Sequence, residues 1–265
     1  MPVSYPVAHD PMFGKGSVML DIFDLVTGLP TGLQHLGNVP KFELEVKDDK
    51  AELFQYINAT PSKIASAVKK REVKLTIEGS DFNFSHVAIA QLSSGKTSLA
   101  IGAGTVTAEV LVSAAQAVNA KGRYFRTGTI NIDDVTVLPA LTQNAIVLMA
   151  GVDYVVADAQ KGLVYFPLTS SIDTTHAVTI TYNTLVGTFA QVPGANLPFV
   201  KGRVLFVPDP TDGQKMGCEI WRVNLSPTGQ LGLIADDYGK WTLDGDVLDD
   251  SANHPGDPFY QYTFF

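Results

Sequence analysis

Ser93-Ser94-Gly95-Lys96-Thr97 is the stretch that comes nearest to a chemical motif, the end of a phosphate-binding loop. A working loop of that kind has a glycine five residues before its second glycine, follows a strand and opens a helix. Here Ala90 holds that glycine's place and the stretch closes a helical pattern, so Gly95 reads as a helix end. Gly102-Ala103-Gly104 begins like a dinucleotide fingerprint, but Thr107 stands at the third glycine position and no βαβ pattern surrounds it, which leaves a turn. The histidines, at 9, 35, 86, 176 and 254, include no pair at metal-ligand spacing, and Cys218 has no cysteine partner. His86 falls on a predicted helix and reads as a packed or surface histidine. His254 closes Asp249-Asp250-Ser251-Ala252-Asn253-His254, which could help hold a divalent cation, but its oxygens do not follow the register of a calcium loop and a structural acidic loop is the preferred reading. Asp236-Asp237 and Asp249-Asp250 read as turn formers, and no Gly-x-Ser-x-Gly elbow occurs. The sequence therefore predicts no catalytic residue, no metal site and no cofactor, which points away from an enzyme and towards a structural or binding role.

The composition agrees. A chain of 265 residues, 45% hydrophobic and 17% charged, makes one large or two small domains with a core of its own. Disorder, collagen and a disulfide scaffold are excluded. A net charge of −8 argues against a surface that grips nucleic acid by its phosphates, though not against one that nucleic acid slides past. Lys69-Lys70-Arg71 is short and lies in a predicted strand, where a solvated face accounts for it. The single cysteine suits folding in a reducing cytoplasm. No apolar run approaches 18 residues and the first residues lack a basic and an apolar region, so neither a membrane span nor a signal peptide is expected.

The elements are read from periodicity. Residues 1–15 hold three prolines and no pattern, and read as an extended arm. Strand signals begin at Gly16, continue at 33–39, and become a clean alternation at 41–47, with Phe42, Leu44 and Val46 against Lys41, Glu43, Glu45 and Lys47. Alternation returns in Val73, Leu75 and Ile77 against Glu72, Lys74, Thr76 and Glu78. Between these strands, residues 48–62 read as a long loop, a feature that usually has a job. One helix is predicted, capped by Ser80 or Asp81, running through Phe84, Val87, Ala88, Ile89 and Leu92, and stopped by Gly95. Residues 105–118 read as strand, although Ala114-Ala115-Gln116-Ala117 leans towards helix. Further short strands are predicted at 129–132, 135–138, 146–149, 154–156, 163–166, 178–182, 202–207, 218–225 and 231–234, with a hairpin over 151–166. The fold class expected is mainly β, a sandwich or barrel with one flanking helix.

The order of these elements closely resembles the major tail tube protein of tailed bacteriophages, most like those with long, flexible, non-contractile tails. The resemblance is carried by Gly16-Ser17-Val18-Met19-Leu20-Asp21-Ile22-Phe23-Asp24, Leu36-Gly37-Asn38-Val39, the helix near Asp81-Phe82-Asn83-Phe84, Gly202-Arg203-Val204-Leu205-Phe206, Trp221-Arg222-Val223-Asn224-Leu225-Ser226-Pro227, Leu233-Ile234-Ala235-Asp236-Asp237-Tyr238-Gly239 and Leu243-Asp244-Gly245-Asp246-Val247-Leu248. It covers residues 12–94 and 200–250 best and 145–183 loosely, and no single motif is diagnostic. It implies two packed antiparallel sheets with a helix at the side, in one domain over 16–265 that follows the arm. It also implies homohexameric rings stacked into a hollow tube, through which double-stranded DNA passes without being read. The implied partners are further copies of the chain and other tail proteins (tape measure, tail tip and terminator), with no membrane. The implied location is the virion tail, after synthesis in the host bacterial cytoplasm.

On that resemblance Asp48, Asp49, Glu52, Leu53, Phe54, Tyr56 and Ile57 fall where the family has its ring-stacking loop. Lys41, Glu43, Glu45, Lys47, Glu72, Lys74 and Glu78 become candidates for the lumen face, four acids and three bases that would repel or ignore DNA phosphates. Residues 95–183 exceed the minimal tube core; an outer elaboration, an extension of the core sheets and a small add-on domain are all open, with extra strands within the one domain preferred. A second reading is a carbohydrate-binding β-sandwich from a phage tip or surface fibre, which needs exposed aromatic side chains; Tyr154, Tyr165 and Phe166 are the candidates.

Overall fold

The structure, a computed structural model, describes every residue except 1–13, 58, 59, 211, 212, 233, 235 and 237. Most of the arm expected at 1–15 therefore lies outside the described residues. The protein is mainly β, with 52% strand and 4% helix. The chain divides into two units, one made of residues 1–96 and 192–265, the other of residues 97–191.

The first unit opens with β1 (Gly16–Phe23), β2 (Pro30–His35), β3 (Lys41–Gln55), β4 (Ser62–Gly79) and helix α1 (Phe84–Ala90). The second contains β5 (Thr97–Ile101), β6 (Gly104–Val112), α2 (Ala114–Ala117), β7 (Arg123–Arg126), β8 (Ala140–Gln143), β9 (Ile146–Val147), β10 (Val155–Asp158), β11 (Leu163–Phe166), β12 (Val178–Thr184) and β13 (Gly187–Gln191). The chain then returns to the first unit with β14 (Val200–Pro208), β15 (Met216–Pro227), β16 (Trp241–Val247) and β17 (Tyr260–Phe264).

In the first unit, all eight strands form one antiparallel sheet in the order β2-β1-β14-β15-β16-β4-β3, with β17 also paired to β15. The two packed layers are the halves of this one sheet, which meet through their inward faces. Val18, Leu20, Val73, Leu75, Ile77, Val204, Ile220, Leu225 and Leu243 are buried together, and Phe42 of β3 stacks on Phe206 of β14 at 5.6 Å. Period-2 alternation puts these residues inward and the charged ones outward. One ion pair joins the neighbouring strands β1 and β14: Asp21 is fully buried, receives Arg203 Nε at 3.0 Å, and accepts the Thr31 and Gly32 N–H groups. Cys218 is buried here too, and its desolvation pushes the thiol up to about 12.

Helix α1 rests on this core through Ile89 and Ala90. Its cap is Asn83, whose Oδ1 accepts the His86 N–H at 2.9 Å, rather than Ser80 or Asp81. It ends at Gln91, four residues before Gly95, because Leu92 turns left-handed at φ 51° while its side chain packs on the core. Gly79 lies against Trp241, and a Cβ there would fall 2.0 Å from the indole. Trp241 cannot easily retreat: it is 4% exposed and donates its indole N–H to the Asp81 carbonyl at 2.9 Å. Gly79→Ala is expected to cost about 1–3 kcal/mol by overpacking, read as a lowered melting temperature; an unchanged one would show that the ring has room.

The second unit has its own core, with Val112, Ile132, Leu141, Val164, Phe166, Ile180 and Tyr182 almost fully buried. Its strands pair only with one another, in sheets ordered β10-β11-β7, β6-β12-β8-β9 and β13-β5. The added residues are thus a unit by themselves rather than extra strands of the main sheet. The predicted hairpin over 151–166 is β10–β11. The predicted strands at 129–132 and 135–138 are absent. Asn131 is left-handed at φ 59°, and the Asp133 carboxylate accepts the Val135 and Thr136 N–H groups, closing a turn instead of a ladder. Ala114–Ala117 is a short helix, not the end of a strand.

Candidate functional site

The stretch read as a loop at 48–62 is mostly strand. β3 and β4 pair without a break in partnership from Lys41↔Glu78 to Gln55↔Ser62, with shifts at Asp49/Lys50 and Leu53/Phe54. Only residues 56–61 connect them. β16 pairs with β4 only over Val73–Gly79, so beyond Glu72 the hairpin is a two-stranded ribbon outside the sheet. Nearly all of its residues are exposed on both faces. Without a buried face nothing enforces period-2 alternation, and the two shifts change its phase, which is why the sequence pattern broke there.

The ribbon is pinned by ion pairs across it. Arg71 donates to both Asp48 carboxylate oxygens, at 2.7 and 3.1 Å, and holds that carboxyl below the usual range. Lys63 pairs with Glu52, and Lys70 with its strand neighbour Glu72. Asp48 and Glu52 are thus engaged within the ribbon, while Asp49 is exposed opposite Lys70. The apolar candidates are spent on nothing: Leu53 is 60%, Tyr56 76% and Ile57 84% exposed, and Phe54 is partly covered. Ile64 and Val68, which the sequence reading passed over, add exposed apolar area on β4. An isolated hairpin of this length is marginal in water, and a cluster of large exposed apolar side chains marks a contact surface.

The second feature is the outward face of the same sheet. Val73, Leu75 and Ile77 point inward as the alternation requires, and Lys41, Glu43, Glu45, Lys47, Glu72, Lys74 and Glu78 lie on the opposite face. The register extends this face onto strands the sequence did not connect to it. Glu43, Thr76, Asp244 and Ser226 form one row across the sheet, and Glu45, Lys74, Asp246 and Asn224 the next. Thr76 donates to Asp244 Oδ1 at 2.9 Å. With Asp244 and Asp246 included, this face over residues 41–47, 72–78 and β16 presents six carboxylates against three lysines, and Lys240, just before β16, pairs with Glu78 at 3.0 Å. The alternation of Asp244 and Asp246 with Leu243, Gly245 and Val247 was the signal available for finding them. Among the described residues the end strands of the sheet are β2, paired with β1, and β3, paired with β4, while β17 pairs with β15 alone, so the sheet has unpaired edges.

The motif fragments are structural. Ser93 Oγ donates to the Gly95 carbonyl, and the Lys96 ammonium sits 4.3 Å from the centre of the Phe84 ring. The Gly102 carbonyl accepts the Thr184 hydroxyl in a turn between β5 and β6. His86 is buried between the Asp81 and His35 carbonyls. His254 lies flat on Trp221, 3.7 Å between ring centres, with Nδ1 2.9 Å from Asp250. Asp249 accepts the Ser251 N–H, as a turn former does. His9 and Asp237 lie outside the described residues. Among the described residues no three His, Cys, Asp or Glu side chains converge as a metal site, and no helix is long and apolar enough to cross a membrane.

A family model described as "Protein of unknown function UCP028589" matches residues 11–263. A comparison with curated proteins gave no match.

Proposed function

The chain belongs to that family, and we propose that it is the tube-forming subunit of a long, non-contractile phage tail, a structural protein rather than an enzyme. The observation that carries this reading is the β3–β4 ribbon, which leaves the sheet with Leu53, Tyr56 and Ile57 bare. In a free monomer such an arm is a liability; against the next ring it is a stacking contact. The open edges at β2 and β3 support the same reading, because closing six copies into a ring pairs them. The outward sheet face then lines the lumen. Its excess of carboxylates leaves DNA phosphates without the cations that would hold them. On this reading the partners are other copies of the chain, the tape measure, tail tip and terminator, with duplex DNA in passage only, and the protein resides in the virion tail.

Negative-stain electron microscopy of the concentrated protein tests this directly. Hollow tubes or sixfold rings, alone or after addition of a preassembled tail tip, are the expected result. Particles that stay monomeric even on such a seed would overturn the proposal.

A further inference from the structure

The three-stranded sheet of the second unit carries an aromatic row that its fold does not use. Register places Val155, Tyr165 and Tyr124 side by side across β10, β11 and β7. The two tyrosine rings lie 4.7 Å apart, and Tyr124 is 62% exposed. On the other face of these strands Phe125, Val164 and Phe166 pack into the core, so the backbone under the row is held rigid. Of the three aromatics suggested by the sequence, Tyr154 and Phe166 are buried and only Tyr165 reaches this surface.

The unit's basic residues gather near the row. Residues 97–191 contain four basic residues, Lys121, Arg123, Arg126 and Lys161, all exposed, and all on β7, just before it, or in the β10–β11 turn. Arg126 shares the tyrosine face of β7, two residues from Tyr124, and stands opposite Leu163. Arg123, at the other end of the strand, stands opposite Phe166 and so lies on the face away from the tyrosines. Arg123, Arg126 and Lys161 have no ion-pair partner among the described residues. Of the unit's six carboxylates, Asp158 stands opposite Leu163 in the row of Arg126, and Glu109, Asp133, Asp153 and Asp173 are engaged with N–H or hydroxyl groups. Glu109 accepts the Gly128 N–H and the Tyr182 hydroxyl, Asp153 the Met149 and Ser171 N–H groups, Asp158 the Lys161 N–H, and Asp173 the Thr175 and His176 N–H groups. An arginine without an ion-pair partner among the described residues, on the same face as a stacked tyrosine pair, suits an external anion that also has a flat apolar face.

We propose that this face binds an acidic polysaccharide. The tyrosine pair stacks on the C–H face of a pyranose ring, and Arg126 receives the sugar carboxylate in the forked geometry that guanidinium favours. Lys161, in the β10–β11 turn, extends the site towards a neighbouring sugar. The chemistry of this face is the same whether or not the chain builds a tube, so the two proposals fail separately.

Calorimetric titration of the full-length protein with oligogalacturonate tests it, with dextran as neutral sugar, polyaspartate as sugar-free anion and oligo-dT as nucleic acid. Oligogalacturonate is expected to bind at least ~10-fold tighter than dextran or polyaspartate, and Tyr124→Ala and Arg126→Gln are each expected to weaken it by about tenfold. Both side chains are exposed, so an unchanged melting temperature will show that the variants fold. No binding at millimolar oligogalacturonate, equal binding of polyaspartate, tighter binding of oligo-dT, or binding indifferent to Tyr124→Ala would each overturn the proposal.

Discussion

Leu53→Thr, Phe54→Thr, Tyr56→Ser and Ile57→Ser, made together, are expected to abolish polymerisation while leaving the monomer's melting temperature nearly unchanged. In the free subunit Leu53, Tyr56 and Ile57 face water and Phe54 is only partly covered. Surface changes of that kind stay within roughly ±0.5 kcal/mol of folding stability, and threonine keeps the strand preference of β3. In a stacked ring the same side chains would be buried, at ~1.5–3 kcal/mol for each large apolar group. The loss repeats in every subunit of the ring. Even Tyr56→Ser alone is expected to raise the critical concentration at least ~10-fold. Sedimentation of the assembled protein against total concentration measures this. A quadruple variant that polymerises at the wild-type concentration would show that the arm does not stack rings.

A contrasting substitution separates contact from shape. Arg71→Gln removes the forked pair with Asp48 at the root of the ribbon but leaves its apolar tip intact. If the ribbon must be held straight to reach the next ring, that variant weakens assembly as well, and less than loss of the tip does.

How far the sequence could be read depended on whether an element had a buried face. β3 up to Glu45 and β4 from Glu72 were legible because Phe42 and Leu44 are half-buried and Leu75 and Ile77 go to the core while Glu43 and Lys74 go to water; Val46, expected on the same inner face, is exposed. The ribbon beyond them was misread as a loop because both of its faces are wet. Its apolar side chains were still identifiable by their excess over what a solvated loop needs. Asp244 and Asp246 were visible as an alternation, but only the pairing of Asp246 with Lys74, 172 positions away in sequence, places them on the same face. The helix was found and its cap misplaced by two residues, since Asp81 and Asn83 are both capping residue types and only the fold decides between them. In the second unit, Asn131 and Asp133 defeated two predicted strands because a carboxylate bonded to its own backbone outcompeted β-branched propensity. The Tyr124–Tyr165 pair spans 41 positions and had no local signature at all.

Reversing the outward face has the other large expected effect. Glu43→Lys, Glu45→Lys, Asp244→Lys and Asp246→Lys together leave two carboxylates, Glu72 and Glu78, against seven lysines on this face over residues 41–47, 72–78 and β16. All four replaced residues are exposed, so the sheet should still form. Lys74 loses the two carboxylates beside it, and a modest fall in melting temperature is expected from the new like charges. The assembled tube should still form, since the stacking arm is untouched. What changes is the lumen. Wild-type tubes are expected not to retain a 30-base-pair duplex at ~50 mM salt. Variant tubes should bind it through released counterions, and lose on the order of 10³-fold in affinity between ~50 and ~200 mM salt. The neutral set Glu43→Gln, Glu45→Gln, Asp244→Asn and Asp246→Asn should fall between the two. Co-sedimentation of labelled duplex with tubes across a salt series reads all three. If the reversed variant retains no more DNA than the wild type, this face does not line the channel. The carboxylate excess would then be an ordinary solvated surface, and the lumen would have to be sought on another face of the first unit.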